Sequence, residues 1–293
     1  MKKFSGVMPA LMTPVTNDGK LDEPALTSFI EYLILQGADG FYVAGATGEG
    51  LILDFDTHAA LTESVCKTVA GRVPVIVHTA RMNFSEAVFL AKHAEKCGAD
   101  AISAVPPLFY SYGEDELFNY YKKLSESTTL PFIIYNNPGA GVTFTDSLLD
   151  RLFSLKSITG IKWTNSDYAA VLRLKSRKSD VNIINGPDQT LLLGLCAGCD
   201  GGIGTTYNFL LPLVKEVYRL FSAGDICSAR LVQEKVSRII SALDGFSLLS
   251  ATRFIISRLG FHGFENTVFP AKPLSENEKT LLSKRLKDNG FEV

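Results

Sequence analysis

The sequence predicts a (β/α)8 barrel, or TIM barrel, followed by a C-terminal extension of three helices. Short β-rich runs recur eight times along the chain, and each is followed by an amphipathic stretch. These eight units occupy roughly the first 205 residues, which is a typical length for this architecture. The rest of the chain has helical periodicity, and no repetitive or linker-like segment separates it from the barrel.

The predicted strands follow one another at intervals of about 20 to 35 residues. They cover 6–12, 40–45, 74–79, 100–105, 131–135, 158–162, 181–185 and 200–204. Between the first two, Leu26, Phe29, Ile30 and Leu33 recur at the spacing of one helix face. A doubly wound sheet is the alternative fold. It usually has fewer strands and a phosphate-binding turn after the first one, and "MTPVTNDG" is not such a turn.

Beyond the last strand the periodicity predicts four helices, over 207–222, 225–242, 247–259 and 276–288. The first is the eighth helix of the barrel, and the other three form the extension. We therefore place the barrel at 1–223 and the C-terminal helical extension, packed on the barrel, at 224–293.

The composition excludes several classes of protein. Hydrophobic residues make up 46% and charged residues 20% of the 293 residues, so the chain has a substantial core. A net charge of −2 gives no electrostatic reason to expect nucleic acid or an anionic membrane as a partner. No apolar run approaches the roughly 18 residues of a membrane span. Pro9 interrupts the first apolar run, which indicates a strand rather than a signal peptide, and we expect a cytoplasmic protein.

The five cysteines are an odd number and favour buried free thiols in a reducing compartment. Cys196 and Cys199 form a C-x-x-C pair at a predicted helix end that runs into a strand. A zinc site would need a second pair or nearby histidines, and neither is present locally. We therefore interpret the pair as small buried side chains and predict no metal and no cofactor.

The stretch "GIKWTN" places Lys162 at the end of a buried strand. One interpretation is that the side chain leaves the core and extends into water. The other is that its amine lies in a dry pocket and attacks a carbonyl group to form a Schiff base. The residues at the other strand ends distinguish between these two interpretations, because the active site of a TIM barrel lies there.

Those strand ends offer the groups that a 2-oxo acid site needs. The turn "GATGEG" presents backbone N–H groups and the Thr47 hydroxyl to a carboxylate. Tyr135 and Lys162 end adjacent strands, so they can face one cavity, and a phenol can pass protons. Glycines at 201, 202 and 204 leave room for a ligand at the barrel mouth.

Each of these residues also has a purely structural interpretation. The glycine turn can be an ordinary loop, and Tyr135 can be a core tyrosine. Glu49 can serve only to hold the turn through backbone hydrogen bonds, and Asp188 only to cap the helix that starts there. Their joint occurrence at the strand ends of one barrel favours the Schiff-base interpretation of Lys162.

These strand ends resemble those of a known family. The marks are G-x-T-G-E at 45–49, Y-N-x-P at 135–138 and G-I-K at 160–162. They are similar to the class I pyruvate-dependent lyase superfamily of dihydrodipicolinate synthase and N-acetylneuraminate lyase, and the resemblance covers nearly the whole chain. It implies a (β/α)8 barrel, Schiff-base chemistry on pyruvate, no metal and a homotetramer.

Within that superfamily the chain most resembles the N-acetylneuraminate lyase branch. The segment "GGIGTTYN" at 201–208 is similar to that branch's G-G-I-G-S-T-Y-N, and Thr164 stands where the synthase branch typically has alanine. The synthase branch also carries an arginine shortly after Y-N-x-P. This chain has none from Tyr135 to Asp150, which argues against dihydrodipicolinate synthesis.

The resemblance implies a role for each site residue. Lys162 would attack C2 of a 2-oxo sugar acid, and Tyr135 would relay a proton as the C3–C4 bond breaks. Ala46, Thr47 and the neighbouring amides would hold the carboxylate. The residues lining the polyol would be Thr164, Gly186, Asp188, Gln189 and Thr205.

Three departures from the family pattern bear on the proton relay and on the substrate. Ala46 stands where the family usually has a serine or threonine of a hydroxyl relay. Phe109 aligns with the relay tyrosine that a neighbouring subunit lends, and Tyr110 would replace it only if the loop shifts. Gln189 stands in place of a glutamate and still offers an amide to substrate hydroxyls.

The sequence leaves three hypotheses open. The first is an N-acetylneuraminate-type lyase with an altered proton relay. The second is an aldolase or dehydratase of another 2-oxo-3-deoxy sugar acid, in which the departures are pocket changes. The third is a pyruvate-binding member, or dihydrodipicolinate synthase-like protein, with reduced catalysis. One fold hosts all three readily.

Overall fold

The computed structural model describes residues 4–293 and contains one eight-stranded parallel sheet. The strands are β1 Gly6–Pro9, β2 Phe41–Val43, β3 Val75–His78, β4 Ala101–Ala104, β5 Phe132–Asn136, β6 Ile158–Trp163, β7 Asn182–Asn185 and β8 Gly201–Gly204. Their order is β1-β8-β7-β6-β5-β4-β3-β2. A bridge between Ala10 and Tyr42 joins the two outer strands. The predicted (β/α)8 barrel is confirmed.

Most strands are shorter than their sequence patterns, and β1 is one of the two that lose three residues. It ends at Pro9 instead of continuing to residue 12, because proline has no N–H to donate to a sheet. The chain beyond Pro9 still lies against the barrel, where the N–H of Leu11 donates to the carbonyl oxygen of Tyr42 at 2.9 Å. In contrast, β5 and β6 each run one residue past the predicted end.

A helix follows each strand and covers the outside of the barrel. These helices are α1 Glu23–Leu35, α2 Phe55–Val69, α3 Phe84–Lys96, α4 Glu114–Ser125, α5 Asp146–Leu152, α6 Tyr168–Arg177, α7 Leu191–Cys196 and α8 Tyr207–Ser222. The predicted apolar face of α1 is buried in full. Its first turn is capped by Asp22, whose side chain accepts a hydrogen bond from the N–H of Ala25. The helix therefore begins directly after a residue type that favours helix N-caps.

The extension consists of α9 Ile226–Ser241, α10 Leu248–Arg258 and α11 Glu276–Asp288. The predicted bounds agree with all three helices to within one residue at either end. The extension packs on the barrel through specific contacts, since Gln233 of α9 accepts the N–H of Leu192 at 3.1 Å. The domain boundary at 223/224 stays a prediction.

All five cysteines are free thiols, as predicted. The expectation that they are buried is wrong for Cys196 and Cys227, which are exposed, while Cys199 is buried. Cys196 is the last residue of α7 and lies on its solvent side, and Cys227 lies in the first turn of α9. No helix within residues 4–293 is long and apolar enough to cross a membrane.

Candidate active site

Lys162 lies inside the barrel and is 4% exposed, so the interpretation in which it extends into water is excluded. Its Nζ atom lies 4.2 Å from the centre of the Tyr135 ring and 4.4 Å from the centre of the Tyr42 ring. It forms no ion pair with any residue of the described chain. A buried amine against two aromatic faces, without a carboxylate partner, is unusual for a purely structural lysine.

The register of the sheet brings Tyr135 to this amine. Tyr135 of β5 pairs with Lys162 of β6, and side chains alternate along a strand, so both point into the barrel while Trp163 points outward. The Nδ2 group of Asn137 donates to the Tyr135 hydroxyl oxygen at 3.2 Å. Because that bond uses the oxygen as acceptor, the phenolic proton remains available to a group in the cavity.

Two further aromatic residues support the site, and the sequence patterns did not identify them. The Tyr42 hydroxyl lies 3.0 Å from Ser103 Oγ and the side chain is fully buried. The N–H of Val105 donates to Nε2 of His78 at 3.2 Å, so His78 donates from Nδ1 to the carbonyl oxygen of Ala44. Both lie at inward positions of their strands. The alternation of inward and outward side chains along a strand was the sequence signal that could have identified them.

His78 is a neutral structural residue. Burial lowers its pKa to about 3, and the nearby charges of His58 and Lys162 act in the same direction. An imidazole with this pKa does not titrate near neutral pH and therefore does not serve as a general acid. Its bonds instead fix Ala44, the first residue of the turn that follows β2.

The turn at 44–50 is closely shaped at the barrel mouth. Ala44 and Glu49 both have a φ of +56°, a left-handed conformation that is uncommon for residues other than glycine. A Cβ on Gly45 would lie 2.4 Å from a ring carbon of Tyr42, and one on Gly50 would lie 2.0 Å from the carbonyl oxygen of Ala44. The backbone conformation of this turn therefore restricts its sequence more than that of an ordinary loop does.

Thr47 presents its hydroxyl at the tip of this turn. The residue is 4% exposed, and its Oγ1 lies 2.7 Å from Oγ1 of Thr205, just beyond β8. Ala46, beside it, is exposed. The turn after β2 and the end of β8 thus meet at one side of the mouth, where backbone N–H groups and two hydroxyls can receive a carboxylate.

The structural roles expected for Glu49 and Asp188 differ from those found. Glu49 accepts a hydrogen bond from the buried Arg253 of α10 and is not held by backbone bonds alone. Oδ2 of Asp188 accepts from the N–H and the hydroxyl of Thr206, at 2.7 and 2.6 Å. It therefore stabilises the start of α8, a helix further along the chain, rather than the turn in which Asp188 lies.

Asp188 also faces the barrel mouth. A Cβ on Gly204 would lie 2.3 Å from its Oδ1 atom, so this oxygen lies directly over the end of β8. Burial raises the pKa of Asp188 to about 6, while the bonds from Thr206 and the charge of Lys162 act against that rise. The charge of Lys162 therefore reaches the Asp188 carboxyl group.

The remaining predicted residues divide into two groups. Thr164 follows β6 and lies against Gly186, and its hydroxyl has no hydrogen-bond partner among the described residues. Gln189 is exposed, and its main-chain carbonyl oxygen accepts from the hydroxyl of Ser237 of α9 at 3.2 Å. Thr164 and Gly186 therefore lie at the mouth, whereas Gln189 lies on the side that faces the extension.

Tyr110 lies away from Lys162 of its own chain. It is 63% exposed and its neighbour Phe109 is 87% exposed, in the loop after β4. Their ring centres are 5.0 Å apart in an edge-to-face arrangement, and Phe109 has a φ of +76°. The relay function expected for Tyr110 would therefore need the loop of a neighbouring copy.

The described residues contain no group of three or more His, Cys, Asp or Glu side chains that could hold a metal ion. The arrangement places an amine, a phenol and a turn with hydrogen-bonding groups at the C-terminal ends of barrel strands, where an amine can attack a carbonyl group.

Comparison with known proteins agrees with this fold. Residues 3–289 match the model of the dihydrodipicolinate synthetase family. The N-acetylneuraminate lyase of Rhizobium meliloti is 33% identical over 261 residues, which are 89% of this chain and 87% of that protein. The chain therefore belongs to the dihydrodipicolinate synthetase family.

Two solved structures have the same architecture. CdNal from Clostridium difficile, in complex with mannosamine, has a TM-score of 0.94 and 27% identity, and the match covers 98% of this chain and 100% of that one. YagE, an E. coli K12 prophage protein of the dihydrodipicolinic acid synthase family in complex with pyruvate, has a TM-score of 0.92 and 28% identity, with 98% of each chain covered.

Proposed function

We propose that the chain is a class I lyase that cleaves a 2-oxo sugar acid of the N-acetylneuraminate type into pyruvate and an aldehyde sugar. The observation that carries the proposal is the buried Lys162 amine, without an ion-pair partner, lying against the face of the Tyr135 ring. The relationship to N-acetylneuraminate lyases supports the substrate class.

In this mechanism Lys162 attacks C2 of the substrate, and loss of water gives an imine. The protonated imine accepts the electron pair of the C3–C4 bond as that bond breaks. Tyr135 takes the proton of the C4 hydroxyl group as its own phenolic proton is relayed towards C3, and the aldehyde sugar leaves. Protonation at C3 and hydrolysis of the imine then release pyruvate and the free amine.

The turn at 44–50 would bind the substrate carboxylate, because it presents the Thr47 hydroxyl and adjacent N–H groups at the mouth. Thr205 lies beside Thr47 and would share this contact. The free hydroxyl of Thr164 and the Oδ1 atom of Asp188 would bind the polyol. Gln189 would reach only the distal end of a bound substrate. This fits a substrate whose tail differs from that of the substrates of other family members.

The proposal includes a homotetramer in a cytoplasmic location. The exposed Tyr110 would then enter the site of a neighbouring copy and supply a relay hydroxyl that Ala46 and Phe109 do not provide. Without it, Tyr135 would act with water or with a substrate hydroxyl.

Two specific observations support a second candidate function. Ala46 supplies no hydroxyl at the position before Thr47 in the turn, and Gln189 faces α9. Both fit an aldolase or dehydratase of a different 2-oxo-3-deoxy sugar acid. A pyruvate-binding protein without efficient turnover is the third reading, and it predicts pyruvate-dependent thermal stabilisation without product.

The decisive experiment is incubation with pyruvate and borohydride, followed by peptide mass mapping. We expect a reduced pyruvyl adduct on Lys162. A panel of sugar acids, with pyruvate release as the readout, then identifies the substrate. Absence of an adduct, together with equal pyruvate binding by the parent and by Lys162→Ala, would reject the Schiff-base mechanism.

Asp188 gives the reaction a pH dependence of known sign. Its raised pKa of about 6 means that the carboxylate gains a proton as the pH falls through that value. The neutral acid accepts hydrogen bonds from substrate hydroxyls less strongly, so we expect KM to rise below about pH 6. Steady-state kinetics between pH 5 and 8 would measure this, and Asp188→Asn should show no such rise. An equal rise in both proteins would assign it to another group.

A further inference from the structure

A buried arginine of the extension contacts the turn that would hold the substrate carboxylate. Arg253 of α10 is 1% exposed, and its Nη2 donates to the carboxylate of Glu49 and, at 2.9 Å, to the carbonyl oxygen of Thr13. Among the ion pairs within residues 4–293, it is the one in which both side chains are buried. The extension therefore does more than cover the outside of the barrel.

The two acceptors of Arg253 both act on the peptide that joins Gly48 to Glu49. Glu49 follows Gly48 directly and has a φ of +56°, a conformation that the surrounding structure must hold. The Thr13 hydroxyl donates to the carbonyl oxygen of Gly48 at 2.8 Å. Gly48 also lies close against the chain after β1, since a Cβ there would be 2.9 Å from the carbonyl oxygen of Leu11. The Gly48–Glu49 peptide, one residue beyond Thr47, is thus held by Thr13 and Glu49, and Gly48 packs against Leu11.

We propose that Arg253 is a positioning residue that sets the affinity of the turn at 44–50 for the substrate carboxylate. It acts through Glu49 and Thr13 and touches neither substrate nor Lys162. The inference rests on the proposed function, since it assigns the carboxylate to this turn. It makes the C-terminal extension part of the active site rather than a separate stabilising element.

Stability alone does not account for the pair. Replacement of a buried ion pair by uncharged groups of similar volume is often neutral or stabilising, so folding does not require charges at these positions. A geometric role does require them, because displacement of a binding group by about 1 Å can change a rate or affinity by about 10²-fold. The two roles therefore predict different behaviour when both charges are removed.

The test is made in a Lys162→Met background, where calorimetry measures non-covalent pyruvate binding without imine formation. Adding Arg253→Met should weaken pyruvate binding about 10²-fold and lower the unfolding midpoint, because the Glu49 carboxylate loses its partner. Combining Arg253→Met with Glu49→Gln should restore the unfolding midpoint, but pyruvate binding should stay at least about tenfold weaker than in the background.

Arg253→Lys is the matched conservative variant. A single nitrogen of Arg253 makes both bonds, and its Nε and Nη1 atoms have no partner among the described residues. A lysine ammonium can therefore replace it, and pyruvate binding should stay within about threefold of the background. Borohydride trapping of the same Arg253 variants with Lys162 intact should follow the same order.

Each outcome decides the inference. Pyruvate binding equal to the background in the double charge-removal variant would reduce Arg253 to a packing role and overturn the proposal. Absence of a pyruvyl adduct on the parent, together with equal pyruvate binding by the parent and by Lys162→Ala, would reject the proposed Schiff-base function, while calorimetry would still decide on Arg253. If neither the parent nor the background binds pyruvate, both proposals fail.

Discussion

Lys162→Met should lower kcat by about 10⁴-fold or more, because the amine that forms the imine is removed and the covalent step is lost. The variant should remain folded with an unchanged or higher unfolding midpoint. Lys162 has no ion-pair partner, so its removal leaves no opposite charge unpaired, and methionine fills a similar volume among the rings of Tyr42 and Tyr135. Pyruvate release and a thermal melt on the same preparation measure both effects.

Lys175→Met is the matched control for that variant. Lys175 is also partly buried, but it donates to the carbonyl oxygen of Val181 and to Asp200, at the N-terminal ends of β7 and β8. Its loss should reduce stability and leave kcat within about threefold, because the chemistry lies at the opposite ends of the strands. Activity of Lys162→Met within tenfold of the parent would contradict the proposed mechanism.

The sequence predicted the parts of the site that depend on strand periodicity. Once β5 and β6 are adjacent parallel strands, alternation places Tyr135 and Lys162 together at the same end of the barrel. The glycine spacing similarly predicted a tight turn after β2, because close backbone approach requires glycine at 45 and 50. These features depend on residues close to one another in the chain or on a regular fold.

Long-range partners could not be predicted in the same way. Arg253 reaches Glu49 across 204 residues, and nothing local in α10 distinguishes it from a surface arginine. Tyr42 and His78 occur within apolar strand patterns, so their polar atoms gave no separate signal until their hydrogen bonds were known. The direction in which Gln189 faces depends on the short 3₁₀ turn at 188–190. Such a short turn has no repeating hydrophobic pattern from which the orientation of its residues could be predicted.

Tyr135→Phe should lower kcat by about 10² to 10⁴-fold, the usual contribution of a general acid–base group. The ring, its edge-to-face contact with Tyr42 and its position near Lys162 would be retained, so only the hydroxyl is removed. Borohydride trapping of pyruvate should persist, because the amine and the carboxylate-binding turn are intact. The variant would therefore separate imine formation from C3–C4 cleavage.

Tyr42→Phe is the matched control for Tyr135→Phe. Tyr42 lies about as close to the Lys162 amine as Tyr135 does, at 4.4 against 4.2 Å from the ring centres. Its hydroxyl, however, is fully buried and bonded to Ser103, whereas the Tyr135 hydroxyl accepts from Asn137 and keeps its proton for the cavity. Tyr42→Phe should therefore retain kcat within about tenfold. Equal losses in the two variants would show that both rings only shape the pocket, and the relay would then have to come from the substrate or from Tyr110 of a neighbouring copy.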